Sequence, residues 1–312
     1  MPDSFVAPPG WSWDIALYFF FGGMAGGAYF ISSLLRLVGD AGDRRLSRIG
    51  YYLAFPLLIV SVLLLIKDLG RPGRFWHMVF QSERLPAPMF KWWSPISFGT
   101  WILVVFGVLS VVSFVYALVE GGVWRSPAAR RVTRPLHAGA GAPGTVFLVL
   151  GAAWGLLLAG YTGVLLVTSN APTWSRNPIL PPMFMAAGVA AAGAAMYLVA
   201  RFAGVGGVDG RHRVLRTSVL ALAFETLLLL ASIVRGIDGT SPLLVSWWTG
   251  LVGVVVLVLG FALPLVLLFM AAYRDRDLVR DAPAVGAALL LVGGILLRVI
   301  EVMGGQGYYV PY

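Results

Sequence analysis

Residues 19–36 read FFFGGMAGGAYFISSLLR, an apolar segment with no charged side chain before its final arginine. This segment lies inside a longer apolar run, residues 13–37. A helix needs about 20 apolar residues to cross the ~30 Å hydrocarbon core of a bilayer, so the run is long enough to span a membrane. Its glycines fall as Gly22-x3-Gly26 and Gly23-x3-Gly27, a spacing that gives a helix a flat face. We therefore predict a membrane-spanning helix whose small residues serve close helix packing.

Seven further apolar runs of similar length follow in the 312-residue chain. Apolar residues make up 59% of the sequence and charged residues only 12%, about half the ~25% that is usual in soluble domains. Because unpaired backbone groups are not tolerated in lipid, apolar runs of this length indicate helices. We predict an all-α integral membrane protein with eight transmembrane helices. The predicted spans are 13–37, 47–68, 95–120, 141–168, 180–204, 213–236, 245–272 and 282–303.

The sequence contains a faint internal repeat. Residues 19–36 align with residues 184–201 (FMAAGVAAAGAAMYLVAR), and residues 53–55 (LAF) align with residues 222–224 (LAF). Two four-helix halves in parallel orientation would produce this pattern, and so would chance alignment of small residues. We expect two four-helix bundles, at 13–168 and 180–303. An external N-terminal segment, 1–12, and an external C-terminal tail, 304–312, would flank them.

The positive charges predict the orientation in the membrane. Fifteen of the 23 Lys and Arg residues lie in the four loops on one side, and eight lie on the side of the termini. Since basic loops stay in the cytoplasm, we expect external termini in a prokaryotic cytoplasmic (inner) membrane. The formal charge of +9 is then mainly a topology signal, and no nucleic-acid partner is expected. Five of the eight residues on the termini side lie between the second and third helices.

Residues 68–72 (DLGRP) end the second helix and are followed by residues 75–77 (FWH). Proline prevents the helix from continuing, and Gly70 permits a tight turn and the close approach of another group. Asp68 and Arg71 lie at the membrane boundary, where a charge is costly unless it is paired. The segment is therefore either a helix end with an interfacial ion pair and an aromatic belt, or part of a ligand site.

Two more segments lie at helix ends on the termini side. Residues 94–101 (SPISFGTW) open the third helix with serine as N-cap and proline at the first helical position. Residues 161–166 (YTGVLL) lie near the end of the fourth helix. A tyrosine hydroxyl at that depth needs a hydrogen-bond partner. That partner is either a neighbouring helix or the carbonyl group of a ligand.

Together these three segments resemble the NrfD-like family, the membrane subunits of polysulfide-reductase-type complexes. The eight helices and the glycine-rich first helix agree, so the resemblance covers most of the chain. It implies two four-helix bundles without haem. It also implies a quinone headgroup site in the first bundle, near the external face and beside an iron–sulfur partner subunit.

The resemblance also implies which residues bind the quinone, either menaquinone or ubiquinone. A quinone needs hydrogen-bond donors at its two carbonyl oxygens and an apolar slot for its isoprenoid tail. Family likeness places Tyr161 and the turn containing Asp68 and Gly70 at the headgroup. Polar residues of the first helix line the pocket in relatives, and the candidates here are Asp14 and Tyr18, one helical turn apart.

Residue types limit the redox chemistry that the chain can carry. The sequence has no cysteine and three histidines, His77, His137 and His212, which fall in loops or at a helix start. We therefore expect no haem and no iron–sulfur cluster in this chain. Electrons would be exchanged with an iron–sulfur ferredoxin-like subunit and, beyond it, a molybdopterin-type catalytic subunit. The candidate docking residues for that partner are Arg71, Arg74, His77, Arg84 and Lys91.

Other charged residues lie inside predicted helices. Glu225 is near the middle of the sixth helix, where a carboxyl group is either a proton relay or a protonated side chain bonded to a neighbouring helix. Arg298 and Glu301, three residues apart in the eighth helix, are expected to pair with each other. The chain is therefore predicted to be a quinone-reactive membrane anchor of an oxidoreductase complex, not catalytic alone, with or without proton translocation. The alternatives are an ion or small-solute transporter or channel, and a purely structural anchor.

Overall fold

The computed structural model describes residues 10–40, 42–136, 141–169, 171–235, 247–273 and 281–306. Predictions for His137, for most of the N-terminal segment and for the end of the C-terminal tail fall outside these ranges. Eight helices are long and apolar enough to cross a membrane, which confirms the predicted number. They are α1 Trp13–Leu37, α2 Asp43–Lys67, α3 Pro95–Glu120, α4 Ala142–Val167, α5 Leu180–Phe202, α6 Gly207–Arg235, α7 Gly250–Tyr273 and α8 Ala282–Gly304. No β-strand forms in the described ranges.

Two helices begin earlier than the apolar runs indicate. Helix α2 starts at Asp43 and α6 at Gly207, so His212 lies in a helix and the prediction that it lies in a loop is wrong. The extra turns are polar and meet each other. Arg213 of α6 donates to Asp43 of α2 at 2.9 Å and to Asp40, just before α2, at 2.8 Å. This ion-pair contact between the two ends stabilises turns that hydropathy alone does not predict.

Helix α1 is the central helix, and its glycines allow its neighbours to approach. A Cβ atom at Gly26 would overlap the carbonyl oxygen of Gly155 in α4, and one at Gly27 would overlap that of Gly188 in α5. The prediction that these glycines serve packing is confirmed. Helix α1 is consequently buried along most of its length, and it packs against α2, α4, α5 and α8.

The contact between α1 and α5 supports the internal repeat. In the alignment, Phe19 corresponds to Phe184 and Gly23 to Gly188. The two phenylalanine rings meet with centroids 6.1 Å apart, and the two glycine backbones are in contact. Equivalent positions touch each other where a two-fold axis passes between parallel halves, so this contact favours the repeat over chance alignment.

The helix neighbours fall into two groups. Helices α1 to α4 contact one another in a ring, and α5 to α8 do the same. The two groups are joined by α5, which packs against α1 and α4, and by α1, which also packs against α8. Because helices of the two groups pack closely against each other, the division into two separate bundles stays a prediction.

The loop from α2 to α3 contains the 3₁₀ helix Pro72–Met78 and lies on the termini side. It returns to α3 through Met89, whose carbonyl oxygen accepts hydrogen bonds from Ser97 at 3.1 Å and from the Trp101 indole at 2.9 Å. Ser94 caps α3 and Pro95 occupies its first turn, as the sequence predicts. The loop is therefore held over the end of the first helical group.

Candidate functional site

The turn after α2 meets the beginning of α1. The Ser12 hydroxyl donates to an Asp68 carboxylate oxygen at 2.7 Å and also lies 3.3 Å from Asp14 Oδ2. Ser12 is at the same time the N-cap of α1, because it accepts from the backbone N–H of Asp14 at 3.1 Å. Asp14 and Asp68, both half-buried, are therefore linked through one hydroxyl group. Ser12 was not among the residues predicted from sequence, although a serine directly before an apolar run is a recognised helix-start signal.

An ion pair forms at this turn, as one of the two alternatives from the sequence has it. Lys67 pairs with Asp14 at 2.9 Å, while Asp68 accepts from Ser12 and forms no ion pair with Arg71 in the described structure. Helix geometry explains this, since the α2 end is turned towards α1 and leaves the arginine on the exposed side of the loop.

Gly70 is not required by the backbone conformation. It does not have a positive φ, and a Cβ atom there would meet nothing within 4 Å. In the described ranges, no other group of the chain makes the predicted close approach to Gly70. Open space lies beside the turn, next to Asp68.

Tyr161 of α4 is almost fully buried against α3. Its hydroxyl donates to the Pro95 carbonyl oxygen, and a Cβ atom at Gly99 would overlap the tyrosine ring. Of the two alternatives from the sequence, the structure contains the helix-to-helix bond. Tyr18 of α1 is also buried and is close enough to Tyr161 for the two hydroxyl groups to interact electrostatically.

The candidate quinone-binding residues thus lie at one end of the first helical group. Asp14 and Asp68 share Ser12, and Tyr18 follows Asp14 by one turn and neighbours Tyr161. Gly70 is two residues beyond Asp68. The arrangement offers hydroxyl donors on the protein side and two carboxylates towards the aqueous boundary.

An apolar groove lies between α2 and α3 beside this cluster. Its volume is about 320 Å³, and its lining includes Leu65, Leu69 and Met78 on one side and Thr100 and Leu103 on the other. Leu69 belongs to the turn that holds Asp68, and Thr100 follows the glycine against which Tyr161 packs. The groove is therefore lined by sequence neighbours of the polar cluster, and it continues along membrane-facing helix surfaces.

The candidate docking residues lie on the loop between α2 and α3. Arg71, Arg74, Arg84 and Lys91 are exposed, while His77 is half-buried with its ring 3.8 Å from the Trp76 ring. The same loop also exposes large apolar side chains. They are Phe75, Phe80, Leu85, Phe90, Trp92 and Trp93.

A second set of charged residues is buried among α5 to α8. Glu225, Arg298 and Glu301 are each at most 3% exposed. Among the described residues, Glu225 Oε1 and the Nε and Nη1 atoms of Arg298 have no hydrogen-bond partner. Glu225 and Arg298 line a small cavity of about 10 Å³ that Phe20 of α1 also borders.

The expected mutual pair of Arg298 and Glu301 does not form as a direct salt bridge. The guanidinium group lies over the Phe184 ring, 3.6 Å from its centroid, and donates to the Phe184 carbonyl oxygen at 3.4 Å. Both glutamates interact with it only through space. The prediction of a pair is therefore corrected to a loose cluster of three charges.

Irregular helix geometry occurs at this cluster. Helix α7 contains the π-helical segment Val256–Ala262, and α8 ends in the π-helical segment Ile300–Gly304. The first contributes Gly260 and Phe261 to the cavity, and the second contains Glu301. π-Helical segments are rare overall, and where they occur they are often at functional sites. They therefore indicate a functional site in this region independently of its charges.

A third buried charge cluster was not predicted from the sequence. Arg36 of α1 forms a bidentate ion pair with Glu120 of α3, and its Nε donates to Ser47 at 2.8 Å. The hydroxyl of Tyr116 accepts from Nη1 at 3.0 Å. The sequence signal was Glu120, an acidic residue at the end of α3 on the arginine-rich side of the membrane. No neighbouring residue in the sequence linked it to Arg36. In the described ranges, no group of three or more His, Asp or Glu residues is placed to hold a metal ion.

Comparison with known proteins identifies relatives along the whole chain. The family model "Polysulphide reductase, NrfD" matches residues 6–309. The chain is 28% identical to Protein NrfD of Escherichia coli (strain K12) over 95% of each chain. It is 26% identical to the Protein NrfD homolog of Haemophilus influenzae over 62% of this chain and 60% of that one. Over 26% of this chain and 19% of the relative, it is 27% identical to a selenate reductase subunit of Mesobacillus selenatarsenatis.

Proposed function

Since the chain belongs to the polysulphide reductase NrfD family of membrane proteins, we propose that it is the quinone-reactive membrane anchor of a multi-subunit oxidoreductase. In this role it exchanges electrons between a membrane quinone and an iron–sulfur ferredoxin-like subunit, which connects to a molybdopterin-type catalytic subunit. The relative named as a selenate reductase subunit supports membership of a reductase complex. The proposed location is a prokaryotic cytoplasmic membrane, with both termini outside.

The observation that carries the proposal is an apolar groove whose lining residue Leu69 lies between Asp68 and Gly70 in the turn after α2. A quinone has an apolar isoprenoid tail and a headgroup with two carbonyl oxygens. The ~320 Å³ groove between α2 and α3 suits the tail, and the space beside Gly70 suits the headgroup. Ligand sites of this kind are mostly apolar with a few placed polar groups, which is the arrangement here.

The candidate side chains have distinct roles in this proposal. Tyr161 donates its hydroxyl hydrogen to a headgroup carbonyl in place of the Pro95 carbonyl, so one acceptor replaces another. Asp14 and Asp68 place two carboxylates at the membrane boundary, and the exposed Lys67 pairs with Asp14 there. A bound quinone supplies a two-electron, two-proton couple.

Electrons must pass between the headgroup and a carrier outside this chain, because it has no cysteine ligands for a cluster. The loop between α2 and α3 is suited to receive the subunit that carries them. It combines exposed arginines with exposed tryptophans, the residue types that dominate binding energy in protein interfaces. An acidic surface on the partner would complement its charge.

We assign the proton path to the second helical group. A single arginine cannot neutralise two buried carboxylates, so one of Glu225 and Glu301 holds a proton. Glu225 lies about 15 Å inside the end of α6, and Glu301 is one turn from the end of α8. The cavity between Glu225 and Arg298 is about the size of one water molecule, which would link the carboxyl group to the guanidinium group.

The main test is quinone-linked turnover of the assembled complex carrying Tyr161→Phe. This change keeps the ring and its packing against Gly99 and removes only the hydroxyl. Losing one hydrogen bond of roughly 0.5–1.5 kcal/mol should weaken quinone affinity about 2- to 12-fold. Activity of the soluble subunits towards an artificial dye serves as the control and should not change. Full quinone activity in the variant would place the headgroup elsewhere.

Asp68→Asn and Ser12→Ala form a matched pair. Asparagine keeps an acceptor for the Ser12 hydroxyl and removes only the charge, whereas alanine removes the hydroxyl and leaves the carboxylate. We expect Asp68→Asn to slow quinone turnover more than Tyr161→Phe does. Ser12→Ala should mainly lower stability, by about 1 kcal/mol for a lost N-cap. The reverse order of effects would show that Asp68 has a structural role only.

Orientation is tested separately with an alkaline phosphatase fusion after Tyr312. External termini predict an active fusion. An active cytoplasmic reporter at the same position would reverse the orientation and place the docking loop in the cytoplasm. If quinone-dependent activity is absent altogether while the complex assembles, a structural anchor or a transporter is the better assignment.

A further inference from the structure

A basic pocket lies on the side of the molecule opposite the termini, where α3 ends. Its volume is about 550 Å³, within the range of pockets that bind small ligands. Three exposed arginines, Arg125, Arg130 and Arg131, line it together with Ser126 and two prolines. None of its lining residues is acidic, and none of the three arginines forms an ion pair in the described structure.

The pocket is built by a short helix that is fixed to the membrane helices. Residues Pro127–Thr133 form this helix, which packs against α3. The Ser126 hydroxyl accepts from the backbone N–H of Ala129 at 3.2 Å and thereby holds its start. Thr133 is buried at its end. The helix positions Arg130 and Arg131 on a defined support next to Arg125.

The surroundings place the pocket at the membrane surface. Helix α3 ends at Glu120, and Val123 and Trp124, which follow it directly, are 73% and 48% exposed. Tryptophan is enriched where membranes meet water, because its ring is apolar and its N–H is polar. Apolar side chains towards the bilayer and arginines in the adjoining pocket match the two parts of a phospholipid.

We propose that this pocket binds the headgroup of an anionic phospholipid. The arginines donate charge-assisted hydrogen bonds to the phosphodiester oxygens, a geometry for which guanidinium groups are well suited. Val123 and Trp124 contact the glycerol and upper acyl region. Basic pockets at the ends of membrane helices bind phosphate-bearing headgroups by this chemistry, and the charge asymmetry of the chain places the pocket on the cytoplasmic leaflet.

The test measures lipid binding to the purified, delipidated complex by native mass spectrometry. The probes are cardiolipin and phosphatidylglycerol as anionic lipids, phosphatidylcholine as a neutral lipid, and inorganic phosphate as a soluble competitor. We expect both anionic lipids to bind more tightly than phosphatidylcholine. The double variant Arg130→Gln/Arg131→Gln should bind cardiolipin at least about tenfold more weakly, because two charge-assisted hydrogen bonds are lost.

A matched control separates this pocket from the general positive charge of the face. Arg44→Gln/Arg45→Gln removes the same charge from exposed positions in the first turn of α2, outside the pocket. It should bind cardiolipin within about twofold of the unchanged complex. An equal loss in both double variants, equal binding of phosphatidylcholine, or displacement of the lipid by inorganic phosphate would each overturn the proposal. Thermal unfolding without lipid should be the same for both variants.

Discussion

Arg36 and Arg298 are both buried in membrane-spanning helices, but their surroundings differ. Every nitrogen of the Arg36 guanidinium group has a partner among Ser47, Tyr116 and Glu120. In Arg298, only Nη2 donates a hydrogen bond within the described part of the chain, at the long distance of 3.4 Å.

The difference separates a structural charge from a charge available for function. A buried ion pair whose hydrogen bonds are all made resists change, because breaking it leaves an uncompensated charge. A buried guanidinium group with unpaired donors beside two carboxyl groups can change partners when a proton moves. The first helical group thus uses its arginine to join α1 to α3, and we place proton movement in the second.

The largest effect is expected from Arg36→Met. The substitution removes the cation of a bidentate pair and leaves Glu120 without it, which should lower the free energy of unfolding by roughly 3–5 kcal/mol. Chemical unfolding of the purified protein in detergent measures this loss. Arg44→Met is the control, since Arg44 is exposed on the same side and should change stability by less than about 0.5 kcal/mol. A loss no larger than the control's would contradict a structural role for Arg36.

Arg298→Met should cost less, under about 2 kcal/mol in the same unfolding measurement. Two of the guanidinium nitrogens make no hydrogen bond within the described residues. Removing them also removes the free-energy cost of burying polar groups without partners. Methionine keeps apolar contact with Phe184. Proton uptake linked to turnover should nevertheless fall. A stability loss equal to that of Arg36→Met would abolish the distinction between the two arginines.

The smallest change in stability is expected from Glu225→Gln, within about 1 kcal/mol. The variant keeps the shape of the side chain and removes a carboxyl group that lacks a partner at Oε1. Turnover or charge separation should decrease while quinone affinity stays nearly the same. Glu83→Gln in the exposed loop is the matched control. Wild-type turnover with wild-type proton stoichiometry would make Glu225 a packing residue.

Local sequence predicted the helices because membrane insertion depends on local apolar length. Helices α1 and α3 begin and end as predicted, at 13–37 and 95–120. The prediction was less accurate at α2 and α6, whose polar first turns are stabilised by the contact of Arg213 with Asp40 and Asp43. Those residues are distant in sequence, so no hydropathy pattern contains the interaction.

Side-chain partners were predicted less well than helices. The three family-like segments predicted Tyr161 and Asp68 as site residues. They did not predict Ser12, which donates a hydrogen bond to Asp68. The sequence suggested a neighbouring Arg or Lys as the partner of Asp68, whereas the partner in the structure, Ser12, comes from the start of another helix. Sequence proximity is a poor guide to pairing at helix ends, because the direction of each chain segment depends on packing.

The sequence by itself determined that this chain crosses a membrane eight times, which family it resembles and where its charged residues fall along each helix. Each of these follows from residue type and spacing. Only the tertiary structure decided which charges meet. Arg36 finds Glu120 at a separation of 84 residues, whereas Arg298 lies against Phe184 and leaves two donors unpaired. The physical reason is that a buried charge is stable only when the atoms around it pair with it and form hydrogen bonds to it. Those atoms come from helices that are distant in sequence and are brought together by packing.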